Sequence, residues 1–235
     1  MTVWLATGNI HKKKELAKIL SDTMPETAAV ELKIPTDEGL AFGPDETGNT
    51  FFENALIKAA ELYRLLGRGQ PVIADDSGIC VDALDGRPGI YSARYTGVNM
   101  ISKDLSQRHR GTEEKKIEIK LTDTDRNARL LAELGDNPQR SARFVCAMVL
   151  YCGGGRFFAA QETLEGELVL NVEAARGTGG FGYDPVLYIP ELGRTVAELS
   201  DDEKNRLSHR GKAGRVIGRI LSGLEQNVLS KKDIK

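Results

Sequence analysis

Two carboxylates stand side by side at Asp75 and Asp76, after the apolar run Val72-Ile73-Ala74 and before Ser77-Gly78. Three apolar residues that stop at two acids, a hydroxyl and a glycine read as a short buried strand opening into a polar turn. In α/β proteins ligands bind just beyond the carboxyl ends of strands. Neighbouring acids repel each other, so a pair held together calls for positive charge nearby. A divalent metal bridging to phosphate oxygens would supply it. An Asx-turn, in which Asp75 and Asp76 only satisfy backbone N–H groups, explains the same residues.

Other groups could take part in phosphate chemistry. Thr7-Gly8-Asn9 is a turn between an apolar run and a helical pattern that opens with Lys12, Lys13 and Lys14. A helix N-terminus attracts anions, while its dipole disfavours lysine there, so three lysines suggest that an anion is expected. A solvated basic face is the alternative. Glu46 lies in an acidic loop, with Asp37, Glu38 and Asp45, and could be a mobile metal ligand or an ordinary solvated acid. Arg94, between Tyr91 and Tyr95, could bind phosphate or form a structural ion pair.

Residues 177–182 match G-x-G-x-x-G, but Pro185 and the strand-like Val186-Leu187-Tyr188-Ile189 follow where a dinucleotide fold needs a helix. Two readings stand: a loop whose glycines admit a ligand with Phe181 stacked on a flat ring, or a glycine-rich hairpin with a buried Phe. Walker A spacing is absent. No serine, histidine and acid set has suggestive spacing.

Several elements must position these groups. Val3–Ala6 is expected as a strand and Lys12–Leu20 as a helix with Leu16, Ile19 and Leu20 inward. A second strand is expected over 28–34. Thr50 and Glu53 form a capping box for a helix to about Leu66, which carries Lys58 and turns Phe52, Ala55, Leu56, Ala59, Tyr63 and Leu66 inward. Gly78–Leu84 reads as a further strand and Asp85–Gly89 as a turn. Residues 98–126 are dense in charge and read as an exposed insertion, followed by a helix over Asn127–Leu134. Ala142–Tyr151 is a central strand, the three glycines 153–155 a hairpin turn, and Arg156–Thr163 and Glu167–Val172 two separate strands. Ser200 to Glu203 starts a helix that carries Lys204, Arg206, His209 and Arg210 and stops near Gly211, and a last helix spans Ala213–Leu229.

The 235 residues suffice for one large domain or two lobes sharing a sheet. Acids and bases nearly cancel, at a formal charge of −2, which argues against a nucleic-acid polymer as partner. Cys80, Cys146 and Cys152 lack C-x-x-C spacing and read as reduced core residues of a cytosolic protein. No long apolar run or basic leader suggests a membrane span or signal peptide.

Taken together, these stretches resemble the inosine triphosphate pyrophosphatase family, the non-standard purine nucleotide phosphohydrolases of the RdgB type. The resemblance is carried by Ala6-Thr7-Gly8-Asn9 with Lys12, Glu46-Thr47-Gly48 with Thr50-Phe51 and Glu53-Asn54-Ala55, and Ala74 through Gly78. Gly89 through Tyr95, Gly177 through Pro185 and Ser208-His209-Arg210-Gly211 complete it. The likeness implies an α/β fold: a mixed twisted sheet flanked by helices, in two lobes with the active site in the cleft between them. It also implies a cytoplasmic homodimer that converts ITP, dITP or XTP to the monophosphate and pyrophosphate.

By the same likeness Thr7, Gly8, Asn9, Ile10, His11 and Lys12 hold the triphosphate. Glu46 and Asp76 bind Mg2+, and Asp76 also accepts a proton from the attacking water. Lys58 and Asp75 support that centre and Ser77 touches substrate. Phe181, Gly182, Tyr183 and Asp184, with Lys204, His209 and Arg210, surround the base and sugar-phosphate. Two departures stand out: the charged stretch is longer than the family's usual link, and His11 occupies a place where a small residue is common. A nucleotide-binding sensor without catalysis and a pyrophosphatase for modified pyrimidine nucleotides are the competing readings.

Overall fold

A computed structural model describes residues 1–25, 30–67, 69–96 and 121–230. Seven strands form one mixed sheet in the order β2-β1-β3-β4-β5-β6-β7. They are β1 (Thr2–Leu5), β2 (Glu31–Lys33), β3 (Val72–Val81), β4 (Ser141–Tyr151), β5 (Phe157–Leu168), β6 (Leu187–Ile189) and β7 (Arg194–Thr195). β1 runs parallel to both β2 and β3, whereas β6 is antiparallel to β5 and β7. The α-helices are α1 (Ile10–Thr23), α2 (Phe51–Leu65), α3 (Asp123–Leu134), α4 (Asp201–Leu207) and α5 (His209–Ser230). Among the described residues no helix is long and apolar enough to cross a membrane.

The chain divides into two compact units, with the divisions falling inside β3, β4 and β5. The first comprises Met1–Ser77, Phe144–Leu164 and Asp201–Lys235. Side chains alternate between the two faces of a strand, and here each face has its own core. Val3, Leu5, Ile73, Cys146, Met148 and Leu150 pack with Leu16 and Leu20 of α1 and Ala213, Ile217 and Leu221 of α5. On the other face Trp4, Ala6, Val72, Ala74 and Val149 pack with Ala55, Ala59 and Leu62 of α2. Each fully buried Leu or Ile contributes on the order of 1.5–3 kcal/mol. Glycines let α5 lie close on α1: a Cβ on Gly214 would stand 2.9 Å from Ile19 Cγ2, and one on Gly218 3.0 Å from Thr23 Cγ2.

The second unit comprises Gly78–Arg143 and Glu165–Ser200. In it α3 is a strut. Its Glu133 bonds Arg87 and Tyr95, and Arg129 donates to the Thr96 carbonyl at 3.0 Å. The Asp85–Gly89 turn is present, with positive φ at Asp85, Gly86 and Gly89.

Several boundaries differ from those read in the sequence. β3 does not stop at Ala74 but runs through both acids and Gly78 to Val81, because cations on the packed helices compensate the buried carboxylates. β5 is one strand through Leu168 instead of two. Gly166 permits this, since a Cβ there would meet the Tyr188 carbonyl at 2.5 Å. The charged stretch expected at 98–126 falls for its greater part outside the described residues. Its end, however, is already helical: Thr122 caps α3, accepting from Asp125 N at 3.2 Å while the Asp125 carboxylate accepts from Thr122 N at 2.9 Å. The buried stripe of α2 is Phe51, Asn54, Ala55, Lys58, Ala59 and Leu62, with Phe52, Leu56, Tyr63 and Leu66 on its flank.

Candidate active site

Within the first unit, two helix N-termini converge on Asp75. Asn9 caps α1, its Oδ1 accepting from His11 N at 2.8 Å and Lys12 N at 3.3 Å. The cap sets the first turn so that Lys12 Nζ lies 2.9 Å from Asp75 Oδ2. Arg210, in the first turn of α5, donates to the same oxygen through Nη2 at 3.1 Å and Nε at 3.3 Å, and to Ser77 Oγ at 2.9 Å. A helix dipole opposes a cation in the first turn by about 0.3–1 kcal/mol. Lys12 and Arg210 both stand in that place, and the carboxylate of Asp75 offsets both. Burial penalises the charge of Asp75, yet Lys12, Arg210 and Lys58 outweigh it and hold the carboxyl far below the usual range.

This arrangement corrects the reading of Ser208-His209-Arg210 as the end of a helix. α4 stops at Leu207, and His209 and Arg210 open α5. Ser208 Oγ accepts from Gly211 N at 3.0 Å. Gly211 is required by the bend itself, since a Cβ there would sit 1.8 Å from the Asn205 carbonyl.

Glu15 joins this cluster, although its place in the sequence did not mark it. It lies one turn after Lys12 on α1, and its two oxygens accept from Lys204 Nζ at 2.9 Å and Arg210 Nη1 at 2.6 Å. Burial raises its pKa, but Arg210 and Lys204 bring it below the ordinary value. The buried His209 ring stacks on Phe144 with centroids 4.9 Å apart. Burial, then the charges of Arg210 and Lys204, keep its imidazole neutral well below the usual pKa.

Asp76 faces the other side of the strand, toward α2. Lys58 Nζ lies 2.9 Å from Asp76 Oδ1 and 2.9 Å from Glu46 Oε1, so the two carboxylates bracket one ammonium. Asn54, also missed, donates to Asp76 Oδ2 at 3.3 Å and accepts from Gly48 N at 2.9 Å. It thereby ties the loop that carries Glu46 to the strand that carries Asp76. Gly48 admits this closure, because a Cβ there would stand 2.6 Å from Glu53 Cβ. Burial raises the Asp76 pKa, the Lys58 charge opposes the rise, Glu46 adds to it, and the net shift is upward.

The Glu46–Asp76 pair can be tested against a divalent cation. Mg2+ favours hard oxygen ligands and is commonly held by one or two carboxylates with waters and substrate phosphates completing the shell. The pair has that chemistry and an upward-shifted carboxyl that more positive charge would relieve. Among the described residues no group of three or more His, Cys, Asp and Glu side chains stands ready as a cage.

The remaining lysines and acids sort themselves by partner. Lys13 pairs with Asp37, and Lys33 with Glu38, near the surface. Ile10 and His11 are exposed on the first turn of α1. Thr7 Oγ1 accepts from Asn9 N at 3.1 Å and shapes the turn. At Gly8, among the described residues, nothing lies within 4 Å of where a Cβ would point.

In the second unit Phe181–Asp184 forms a turn. Phe181 N donates to Asp184 Oδ2 at 2.9 Å, and Tyr183 Oη donates to the Ser92 carbonyl at 2.9 Å. Tyr183 is buried and Phe181 half-buried. The glycines before the turn serve close packing: Gly177 and Gly179 lie against Ala197, where a Cβ on Gly177 would stand 2.4 Å from its carbonyl carbon. Gly78 meets a similar demand, with the Gly89 carbonyl and Ser92 Oγ each 2.4 Å from a Cβ placed there. Arg94 lies over the Tyr91 ring, 5.1 Å from its centroid.

The model of the Ham1 family matches residues 3–218. The chain belongs to the Ham1 family. It is 43% identical over 223 residues to the dITP/XTP pyrophosphatase of Treponema denticola, covering 95% of this chain and all of that one. It is 44% identical over 211 residues to the dITP/XTP pyrophosphatase of Geobacillus kaustophilus, covering 89% of this chain and 88% of that one. The solved structure of a HAM1 protein from Coxiella burnetii superposes with a TM-score of 0.75 at 32% identity, covering 95% of this chain and 99% of that one. The matched span of this Ham1-family chain includes every candidate residue from Thr7 to Arg210.

Proposed function

We propose that this Ham1-family chain hydrolyses non-standard purine nucleoside triphosphates, among them ITP, dITP and XTP, to the monophosphate and pyrophosphate. The observation that carries the reading is the pairing of Asp76 with Glu46 across Lys58, one residue along the strand from a carboxylate locked by Lys12 and Arg210. The names of the Treponema and Geobacillus relatives support the substrate class.

Asp76 is the proton acceptor. Its raised pKa brings it nearer to that of a useful base at neutral pH than an ordinary carboxylate. The attacking water gives its proton to Asp76 as its oxygen bonds to the innermost phosphorus, and the bond to the pyrophosphate oxygen breaks. Lys58 holds Asp76 and Glu46 together, and Asn54 fixes the Asp76 carboxylate. Glu46 and Asp76 would hold the divalent cation, with Mg2+ the cation of choice. When bound, it supplies positive charge for phosphate oxygens and acidifies water.

Thr7 to Lys12 takes the triphosphate, and the open side of Gly8 leaves room for a close approach to the backbone. Asp75 and Ser77 orient Lys12 and Arg210. Phe181 to Asp184, with Lys204, His209 and Arg210, recognises base and sugar-phosphate. A 6-oxo purine is preferred where a site's donors leave an adenine amino group unpaired, which can discriminate strongly. A cytoplasmic homodimer belongs to the same reading.

The test is turnover of a triphosphate panel by purified protein with Mg2+. The expected products from ITP are IMP and pyrophosphate in equal amounts. Stepwise release of orthophosphate would refute the cleavage site, and tight ITP binding without turnover would refute catalysis.

A further inference from the structure

The Phe181–Asp184 turn is gripped from outside at its second residue. Gly182 N donates to Asp123 Oδ2 at 2.7 Å, and Asn127 Nδ2 donates to the Gly182 carbonyl at 3.1 Å. Asp123 and Asn127 lie four residues apart, so they share one face of α3. One helix face therefore takes hold of the peptide groups on both sides of a single glycine. Gly182 has a φ of +65°, a conformation that glycine adopts without steric cost, and both bonds fall on its backbone.

The amide of Asn127 is otherwise hard to explain. It is buried, and among the described residues its Oδ1 finds no hydrogen-bond partner. Burying an amide with one side unsatisfied is costly, and a leucine would suit an inward helix position at least as well. The bond to Gly182 is what the amide provides. α3 is itself anchored by Glu133 to Arg87 and Tyr95 and by Arg129 to Thr96, so the clamp has a firm base.

We infer that Asp123 and Asn127 are positioning residues that set how the Phe181–Asp184 turn meets the purine base, and so govern base discrimination rather than the rate of phosphorus–oxygen cleavage. Neither residue touches the reacting atoms; both act through Gly182. The inference rests on the reading of that turn as base-recognising.

The experiment measures kcat and KM for ITP and for GTP with Mg2+ in Asn127→Leu, Asp123→Ala, Asp123→Asn and, as a reference, Phe181→Ala. Loss of one clamp bond should raise KM for ITP by about 5- to 30-fold, the effect of one such hydrogen bond, with kcat changed by less than about twofold. The preference for ITP over GTP in kcat/KM should fall roughly tenfold in Asn127→Leu and Asp123→Ala. Asp123→Asn keeps an acceptor oxygen and should retain the preference. A fall in kcat at constant KM, or a parallel fall for both nucleotides, overturns the clamp. If thermal melting shows that Asn127→Leu does not fold, Asp123→Ala at the half-exposed position decides alone. Phe181→Ala separates the two levels. If it moves the preference and the clamp variants do not, the clamp is wrong. If it leaves the preference unchanged, the base-recognising role of the turn is wrong, and the clamp inference falls with it.

Discussion

Asp75 and Asp76 are neighbours in the chain and strangers in space. Both are buried, at 3% and 8% exposure, and burial raises the pKa of each. Asp75 faces α1 and α5 and receives Lys12 and Arg210, which push its pKa far down. Asp76 faces α2, shares a single lysine with Glu46, and its pKa rises. The strand buries both; the charges on each face, with three cations acting on Asp75 and Lys58 opposed by Glu46 at Asp76, decide the sign. One acid is thereby a fixed anion that holds a basic cluster together, and the other is left able to take a proton.

The sharpest way to break this contrast is Asp76→Asn. We predict a loss of at least about 10³-fold in kcat for pyrophosphate release, because the proton acceptor is gone. Folding stability should stay within about 1 kcal/mol, since a carboxyl with a raised pKa gains little from being charged. A loss of only a few-fold in rate would remove Asp76 from the chemistry.

Asp75→Asn should do the opposite. Removing the partner of the buried Arg210 and the half-buried Lys12 costs roughly 3 kcal/mol in urea unfolding, as expected for a broken buried pair. An unchanged midpoint would show that Glu15 alone can hold Arg210.

Lys58→Met tests the shared ammonium. Without it Glu46 and Asp76 repel directly, so the Asp76 pKa should climb further. The acid limb of the rate profile should then move to higher pH, and a static limb would mean that Lys58 does not tune Asp76.

The smallest effect concerns His209. Its folded-state pKa is depressed, so the unfolded chain binds the extra proton and stability falls as pH drops below about 6.5. Near pH 5.5 the loss should reach up to about 1.4 kcal/mol and should vanish in His209→Gln. Glu15, also depressed, adds its loss only below about pH 4.3, so the two windows separate. An identical slope in the variant between pH 6.5 and 5 would assign the loss elsewhere.

The same contrast explains what the sequence made legible. β1, α1 and β4 are apolar patterns bounded by strong turn or cap residues, and they appear where periodicity puts them. The motifs around Thr7, Asp75, Phe181 and His209 sufficed to recognise the Ham1 family. The continuation of β3 through two acids was not legible, since the cations that neutralise them arrive from positions 12, 58 and 210. Alternation also hid the split between Asp75 and Asp76 once the acids were read as a turn. Asn54 was obscured by its apolar neighbours on α2, although with Lys58 it makes two polar residues four apart in a buried stripe, itself a signal. The start of α5 at His209 depends on Gly211 passing under the Asn205 carbonyl, a contact no local propensity encodes.

Gly214 and Gly218 leave a bare stripe on α5 where it lies against Ile19 and Thr23 of α1. That bare stripe is also a gauge. Lys12 and Arg210 sit at the tips of those two rods, and the gap between their charges is inherited from how nearly the backbones touch farther along. A methyl group at 214 would spread the rods at the shaft and part the tips. The protein could thus lose its grip on Asp75 through a residue that never meets a charged atom.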